Sequence, residues 1–246
     1  KKTGRMIKAL MPVHIFGNAC KIDKLIKIAK KYKLVTIEDA TEALGTFYKN
    51  KHVGTFGEMG VISFNGNKII TSGAGGMIIS KNKKLQNKAK HLISNAKINH
   101  KWEYDHDEIG FNYRMPAINA ALGLSQIQKI DKLLKAKKTL RENYRVNFEE
   151  IKGVSFFEGP SDCDANFWLN SIVLNKEFVE YRDIIIEKLI IMGFQCRPIW
   201  TLMNKLSPYR DNPSMNLNNA QNLEKSFITI PSSSFLCKIN ENFKFK

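Results

Sequence analysis

Leu34-Val35-Thr36-Ile37-Glu38-Asp39 is the stretch that decides the fold class. A β-branched apolar run ends abruptly on two acids, which reads as a strand over Leu34 to Ile37 closed by Glu38-Asp39. Just before it, Lys21 to Tyr32 carries Ile22, Leu25, Ile26 and Ala29 on one helical stripe, with lysines on the opposite face. Earlier still, Met6 to Val13 reads as a short buried strand. Strand, helix and strand in quick succession make a parallel βαβ unit, so the chain is predicted to be α/β. Ligands of such sheets sit beyond the carboxyl ends of the strands, and Asp39 stands at one of those ends.

Further along, Val61-Ile62-Ser63-Phe64 and Met77-Ile78-Ile79 read as strands. Lys83 to Ser94 reads as a helix, and Ala96 to Gly110 as a long loop rich in aromatic and charged residues. Pro116 suits the first position of a helix that runs toward Glu150 with a kink near Gly123. After Gly153 the texture changes. Val154 to Phe157 and Trp168 to Leu174 read as strands, Glu177 to Met192 as a helix stopped by Gly193, and Phe194 to Arg197 as a strand ended before Pro198. These elements predict two domains, residues 1–130 holding the large sheet and residues 131–246 forming a smaller α+β domain.

The 246 residues include 43% hydrophobic and 25% charged side chains, the mix of a globular protein rather than a disordered tail. No apolar run approaches a membrane span, since Ile184 to Phe194 is interrupted by Glu187 and Lys188, and no signal peptide opens the chain. A cytoplasmic location is expected. The net charge is +16, but only seven of the 39 basic residues are Arg. Lysines scattered among Asn and Ile favour a solvated surface over a nucleic-acid groove, which stands as a distant alternative. Cys20, Cys163, Cys196 and Cys237 form no metal-binding pair, and the five His show no i, i+4 spacing. Free thiols and no metal are expected.

Lys68 lies in a Gly- and Asn-rich loop shortly after a strand. A lysine so placed, facing a strand-end Asp, is the arrangement needed for imine attachment of pyridoxal phosphate. That chemistry requires an amine, a carboxylate to keep the pyridine nitrogen protonated, and donors for the phosphate. Lys68, Asp39 and Ser63 are candidates for these three parts. Spacing alone leaves Lys68 open to being a surface lysine, Asp39 a strand-end cap, and Ser63 a plain sheet residue. Gly73-Ala74-Gly75-Gly76 precedes a strand and not a helix, so it is no dinucleotide fingerprint.

Val13-His14-Ile15-Phe16-Gly17, Ile37 to Gly45, Ser63 to Lys68, Gly73 to Met77 and Gly110 to Met115 occur in the order found in one family. In this series the chain resembles the DegT/StrS-type sugar-nucleotide aminotransferases. The narrower likeness, carried by Ser63 to Lys68, Trp102 to Met115 and Arg197 to Lys205, is to members acting on UDP-linked 4-keto-6-deoxy-N-acetylhexosamines. The resemblance implies a fold-type I enzyme with an incomplete large mixed-sheet domain plus the smaller α+β C-terminal domain.

It also implies pyridoxal 5'-phosphate as cofactor, with Lys68 as the catalytic lysine and proton shuttle and Asp39 on the pyridinium nitrogen. Glu42 would contact the ring hydroxyl, where many members carry Gln, and Ser63 the cofactor phosphate. Asn112 would reach the neighbouring subunit's cofactor in a homodimer with shared sites, although it could equally be a turn former. Trp102, His106 and Arg114 would meet the nucleotide sugar, and glutamate would donate the amino group. A lysine at 68, where some dehydrating relatives carry His, favours transamination. The resemblance begins after the family's N-terminal part, so that part, with its phosphate-binding helix turn, is expected to be missing. A truncated, catalytically incompetent fragment, or one completed by a complementary N-terminal fragment, is therefore the alternative expectation. The tail from Phe235 to Lys246 is expected to depart from the family.

Overall fold

In a computed structural model of the protein, residues 4–241 are described. The chain divides into two compact units. Ile7–Leu134 and Pro160–Trp168 form the first, and Lys135–Gly159 belongs to the second together with residues from Leu169 onward.

In the first unit β1 (Ala9–Leu10), α1 (Ile22–Lys31) and β2 (Val35–Asp39) form the expected βαβ unit, with β1 and β2 parallel. β3 (Phe47–Tyr48) and β4 (Lys51–His52) make a tight hairpin whose turn residues Lys49 and Asn50 both have positive φ. Such values suit the twist of a two-residue hairpin loop. β5 (Met59–Ser63) lies parallel to β2, and β6 (Gly76–Ile79) antiparallel to β5. The order β1-β2-β5-β6 is therefore a mixed sheet. Its core joins Ala19 and Ile22 near or on α1 to Ala40, Ala43, Tyr48, Val53 and Ile62.

Three expectations in this unit change. The first strand spans two residues and lies at an edge, with Ile7, Met11 and Val13 exposed rather than buried. An edge strand has one neighbour and is covered less than a central one. β2 runs on through Glu38 and Asp39, which places Glu38 inside the sheet with no solvent exposure. The helix after Pro116 is interrupted later than expected. α2 (Lys83–Ile93), capped by the Asn82 side chain, is followed by α3 (Ala117–Ile127) and, after a break at Gln128–Lys129, by α4 (Ile130–Glu149). Gly123 remains within α3, where a Cβ would stand 3.4 Å from the Ser72 Cβ. It therefore does not kink the helix.

The second unit begins within α4. β7 (Val154–Phe156) belongs to it, whereas β8 (Cys163–Asp164) pairs with β3 of the first unit. That pairing makes 160–168 part of the first unit, in place of the single break at residue 130 expected from the sequence. β9 (Asn170–Leu174), a 3-10 turn at Lys176–Tyr181 and α5 (Arg182–Ile191) follow. β10 (Arg197–Pro198), α6 (Asn218–Ser226) and β11 (Phe227–Ile230) complete the antiparallel sheet β10-β11-β9-β7. The strand expected over Phe194 to Arg197 is shorter and shifted: β10 holds only Arg197 and Pro198, and Pro198 is its last residue, which an edge position allows. α6 and the central strand β11 carried no clear period in the sequence. The core here gathers Ile172, Leu174, Ile186, Cys196, Ile228 and Ile230. The tail expected to depart from residue 235 forms a 3-10 turn at Ser234–Glu241, and 242–246 lie outside the described residues.

Candidate functional site

Asp39 and Ser63 are the last residues of the neighbouring parallel strands β2 and β5. The chain leaves β5 into a loop closed by Phe64 N–H to Gly75 O at 2.9 Å and Ser72 N–H to Phe64 O at 3.0 Å. Lys68 stands in that loop, its own N–H donating to Asn65 O at 3.1 Å. Glu42 follows β2 by three residues. Strand ends thus bring an amine, two carboxylates and a hydroxyl to the carboxyl edge of one sheet.

Each group is held by its surroundings. Asp39 Oδ1 accepts from Thr41 Oγ1 at 2.7 Å and Thr41 N at 3.2 Å, which fixes the carboxylate plane. Glu42 Oε2 accepts the Phe16 N–H at 2.7 Å. Phe16 itself takes φ +57, a left-handed value costly for a side chain with a Cβ. Burial pushes the Glu42 carboxyl above its ordinary range; the Phe16 N–H and Lys68 work against that rise, and Asp39 adds to it. Burial likewise lowers the Lys68 ammonium, and Glu42 and Asp39 oppose the change. A lysine with a lowered value offers more neutral amine near neutral pH than an ordinary one. Ser63 Oγ accepts from Asn65 N–H at 3.2 Å and keeps its own proton to donate.

The remaining sequence candidates lie elsewhere in this unit, on the long loop and just after it. Asn112 is exposed and bridges to Ser94. Trp102, exposed to 71%, packs edge-on against His100, and His106 bridges to Lys97. Arg114 is exposed. His91, Asp107 and Glu108 hold ligand-type atoms within 4.8 Å of one another. They are already engaged, His91 in a hydrogen bond with Asp107 at 2.6 Å and Glu108 in an ion pair with Lys88, on a solvated surface.

Sequence reasoning missed Trp168, whose ring lies under the Lys68 amine with the nitrogen 3.9 Å from the ring centroid. It also missed Glu38, which binds the His14 ring and three backbone N–H groups. Glu58 accepts the Thr36 N–H at 2.6 Å. A polar residue at an inward-facing strand position was the only available signal for Glu38, and nothing local pointed to Trp168.

The sequence of residues 1–240 matches the model of the DegT/DnrJ/EryC1/StrS aminotransferase family. The chain belongs to this family. It is 36% identical over 211 residues to GDP-perosamine synthase of Vibrio cholerae, covering 85% of this chain and 56% of that protein. It is 31% identical over 232 residues to the UDP-4-amino-4,6-dideoxy-N-acetyl-beta-L-altrosamine transaminase of Campylobacter jejuni subsp. jejuni serotype O:23/36, covering 94% and 62%. Among solved structures, Helicobacter pylori PseC, an aminotransferase involved in the biosynthesis of pseudoaminic acid, superposes with a TM-score of 0.88 at 26% identity, covering 93% of this chain and 62% of that one. The chain therefore spans little more than half the length of these relatives. Family membership and the mixed sheet establish the fold-type I architecture, and members of the family use pyridoxal phosphate. Among the described residues no helix is long and apolar enough to cross a membrane.

The donor set fits that cofactor. A half-buried amine of lowered basicity stands with an oriented carboxylate, a second carboxyl group and a hydroxyl at one strand edge. These are the groups that a pyridine nitrogen, a ring hydroxyl and a phosphate ester require.

Proposed function

We propose that this chain carries the lysine-bearing part of a pyridoxal-phosphate-dependent aminotransferase that acts on the 4-keto carbon of a nucleotide-linked 4-keto-6-deoxy sugar. The observation behind this reading is the cluster of Lys68, Asp39 and Glu42, in which both carboxylates act electrostatically on one amine. When bound, the cofactor supplies an aldehyde carbon that carries the amino group and a protonated ring that accepts electron density.

Lys68 would hold the cofactor at that carbon, and its amine would carry the proton at the sugar C4. Asp39, its plane set by Thr41, holds the proton on the pyridine nitrogen through a charge-assisted hydrogen bond. Glu42 meets the ring hydroxyl while Phe16 N–H fixes one of its oxygens. Ser63 donates to the phosphate. Asn112 reaches the cofactor of a second subunit in a homodimer, which its exposure permits. Trp102, His106 and Arg114 recognise the nucleotide sugar. Glutamate is the amino donor, and the protein works in the cytoplasm.

The UDP-N-acetyl class is our assignment for the sugar, supported by the altrosamine transaminase relative, which is matched along 94% of this chain. The similarity to GDP-perosamine synthases supports a GDP-linked sugar as the second reading. The test treats the gene product containing these residues with cofactor and then borohydride, and maps the modified peptide. Label at Lys68, absent in Lys68→Ala, supports the reading; label elsewhere, or none, overturns it. Turnover of UDP- and GDP-linked 4-keto sugars with glutamate then separates the two substrate classes.

A further inference from the structure

Trp168 is bound to the Lys68 loop at two points. Its face lies 3.9 Å from the Lys68 amine, measured to the ring centroid, and its Nε1–H donates at 2.7 Å to the carbonyl of Asn67, the residue just before Lys68. Trp168 is 5% exposed and Lys68 is half-buried, so the contact is partly screened from water. A buried polar knot sets its position. Asn166 Oδ1 accepts the Trp168 N–H at 2.8 Å, and Asn166 Nδ2 donates to Glu42 O at 2.8 Å and Leu44 O at 2.9 Å. The Asn166 N–H in turn donates to Thr46 Oγ1, whose hydroxyl donates to Gly17 O at 2.7 Å. A Cβ at Gly17 would fall 1.8 Å from Asn166 Oδ1, so no larger residue fits there without breaking the knot. One asparagine therefore ties the segment bearing Glu42 to the ring under Lys68.

We propose that Trp168 is a positioning residue for Lys68: its indole face holds the side chain as an ammonium whenever the amine is not bonded to the cofactor, and Asn166 holds the indole. This rests on the reading of Lys68 as the cofactor lysine. A cation over an indole face is attracted by the ring quadrupole, more strongly when water is excluded. The charged groups acting on the amine are the carboxylates of Glu42 and Asp39, which favour the ammonium in the same sense. Trp168 adds direction, because attraction to a face fixes where the amine rests.

The test follows acetylation of Lys68 against pH in cofactor-free protein by peptide mass spectrometry, with acetic anhydride as the probe. The quantity read is the midpoint pH, which a change of access alone does not move. In Trp168→Leu the midpoint falls and the fraction of neutral amine near pH 7 rises about two- to tenfold. Trp168→Phe, which keeps an aromatic face, restores most of the difference. Should Trp168→Leu not fold, the wild-type protein supplies the second readout. The Lys68 Cε–H resonance, assigned by its absence in Lys68→Arg, lies upfield of the other lysines through the indole ring current. An unmoved midpoint in folded Trp168→Leu, or an unshifted resonance, overturns the role of Trp168. Borohydride label mapping away from Lys68 overturns the cofactor reading and this role with it, whereas label at Lys68 with an unmoved midpoint overturns the Trp168 role alone.

Discussion

The His14 ring and the Glu38 carboxylate meet at 3.1 Å with neither side chain exposed to solvent. Cys20 N–H donates to His14 Nδ1 at 3.3 Å, so the ring proton belongs on Nε2, pointing at Glu38. The same carboxylate accepts from Gly54, Phe56 and Gly57 N–H at 2.6 to 2.8 Å. One buried acid thereby anchors the loop between β4 and β5 to the strand that ends at Asp39.

Glu38→Gln places an amide N–H₂ against a set of donors and strands at least one of them. The expected loss of stability is about 2–4 kcal/mol, read by denaturant unfolding at pH 7. Burial alone would raise the Glu38 carboxyl, and its hydrogen bonds from His14, Gly57 and Gly54 more than offset this, so the folded value lies below the ordinary one. Its contribution is therefore present above the ordinary carboxylate range and is lost as the pH falls through the folded value. The variant flattens that part of the acid limb.

Gly60→Ala and Gly66→Ala form a matched pair. A Cβ at Gly60 would lie 2.0 Å from the Gly54 carbonyl oxygen, whereas at Gly66 nothing stands within 4 Å. The backbone at Gly54 is held by Glu38 and cannot give way cheaply. Gly60→Ala is expected to cost about 2 kcal/mol or more, and Gly66→Ala to stay within about 0.5 kcal/mol. Thermal unfolding of both variants checks the contrast.

Glu42→Gln removes one of the two carboxylates that oppose the lowering of the Lys68 ammonium. The Lys68 titration moves to lower pH, and acetylation of the amine near pH 7 speeds up about twofold or more. The Phe16 N–H keeps an acceptor in the Gln carbonyl, so the fold is retained. A slower reaction, or an upward shift, would contradict the placement of Glu42 beside the amine.

Lys137 lies in the second unit, buried on α4 with its amine donating to Ser232 O. Burial lowers its value to about 7. The unfolded chain holds this proton up to the ordinary lysine range, so between those two values it binds more protons than the folded one, and stability rises with pH there. Lys137→Met removes the ionising group, and the rise flattens by roughly 1–3 kcal/mol between neutral pH and pH 10. Urea unfolding at both ends of that window measures it.

The elements legible in the sequence were those with a strong local period. The α1 stripe and the apolar run of β2 placed Asp39 at a strand end, and the run of β5 placed Ser63 in a strand, because neighbouring side chains reveal a helix or strand directly; that β5 ends on Ser63 and not on Phe64 is seen only in the structure. β11, although central in its sheet and buried at every residue, follows α6 without a turn signal and so went unseen. Glu38 and Asp39 looked alike as two acids closing a strand. Only the pleat, which sends alternate residues to opposite faces, made the first a buried anchor and left the second half-open at the site.

By itself the sequence determined the α/β class and the position of Lys68 in a loop after a strand from its apolar period, and the family from the order of its motifs. Tertiary structure decided what surrounds that lysine. Trp168 reaches the loop from 101 residues away because β8 returns the chain to pair with β3. Such a contact leaves no trace in local periodicity, since it is set by strand pairing and by buried hydrogen bonds between segments that the sequence keeps far apart.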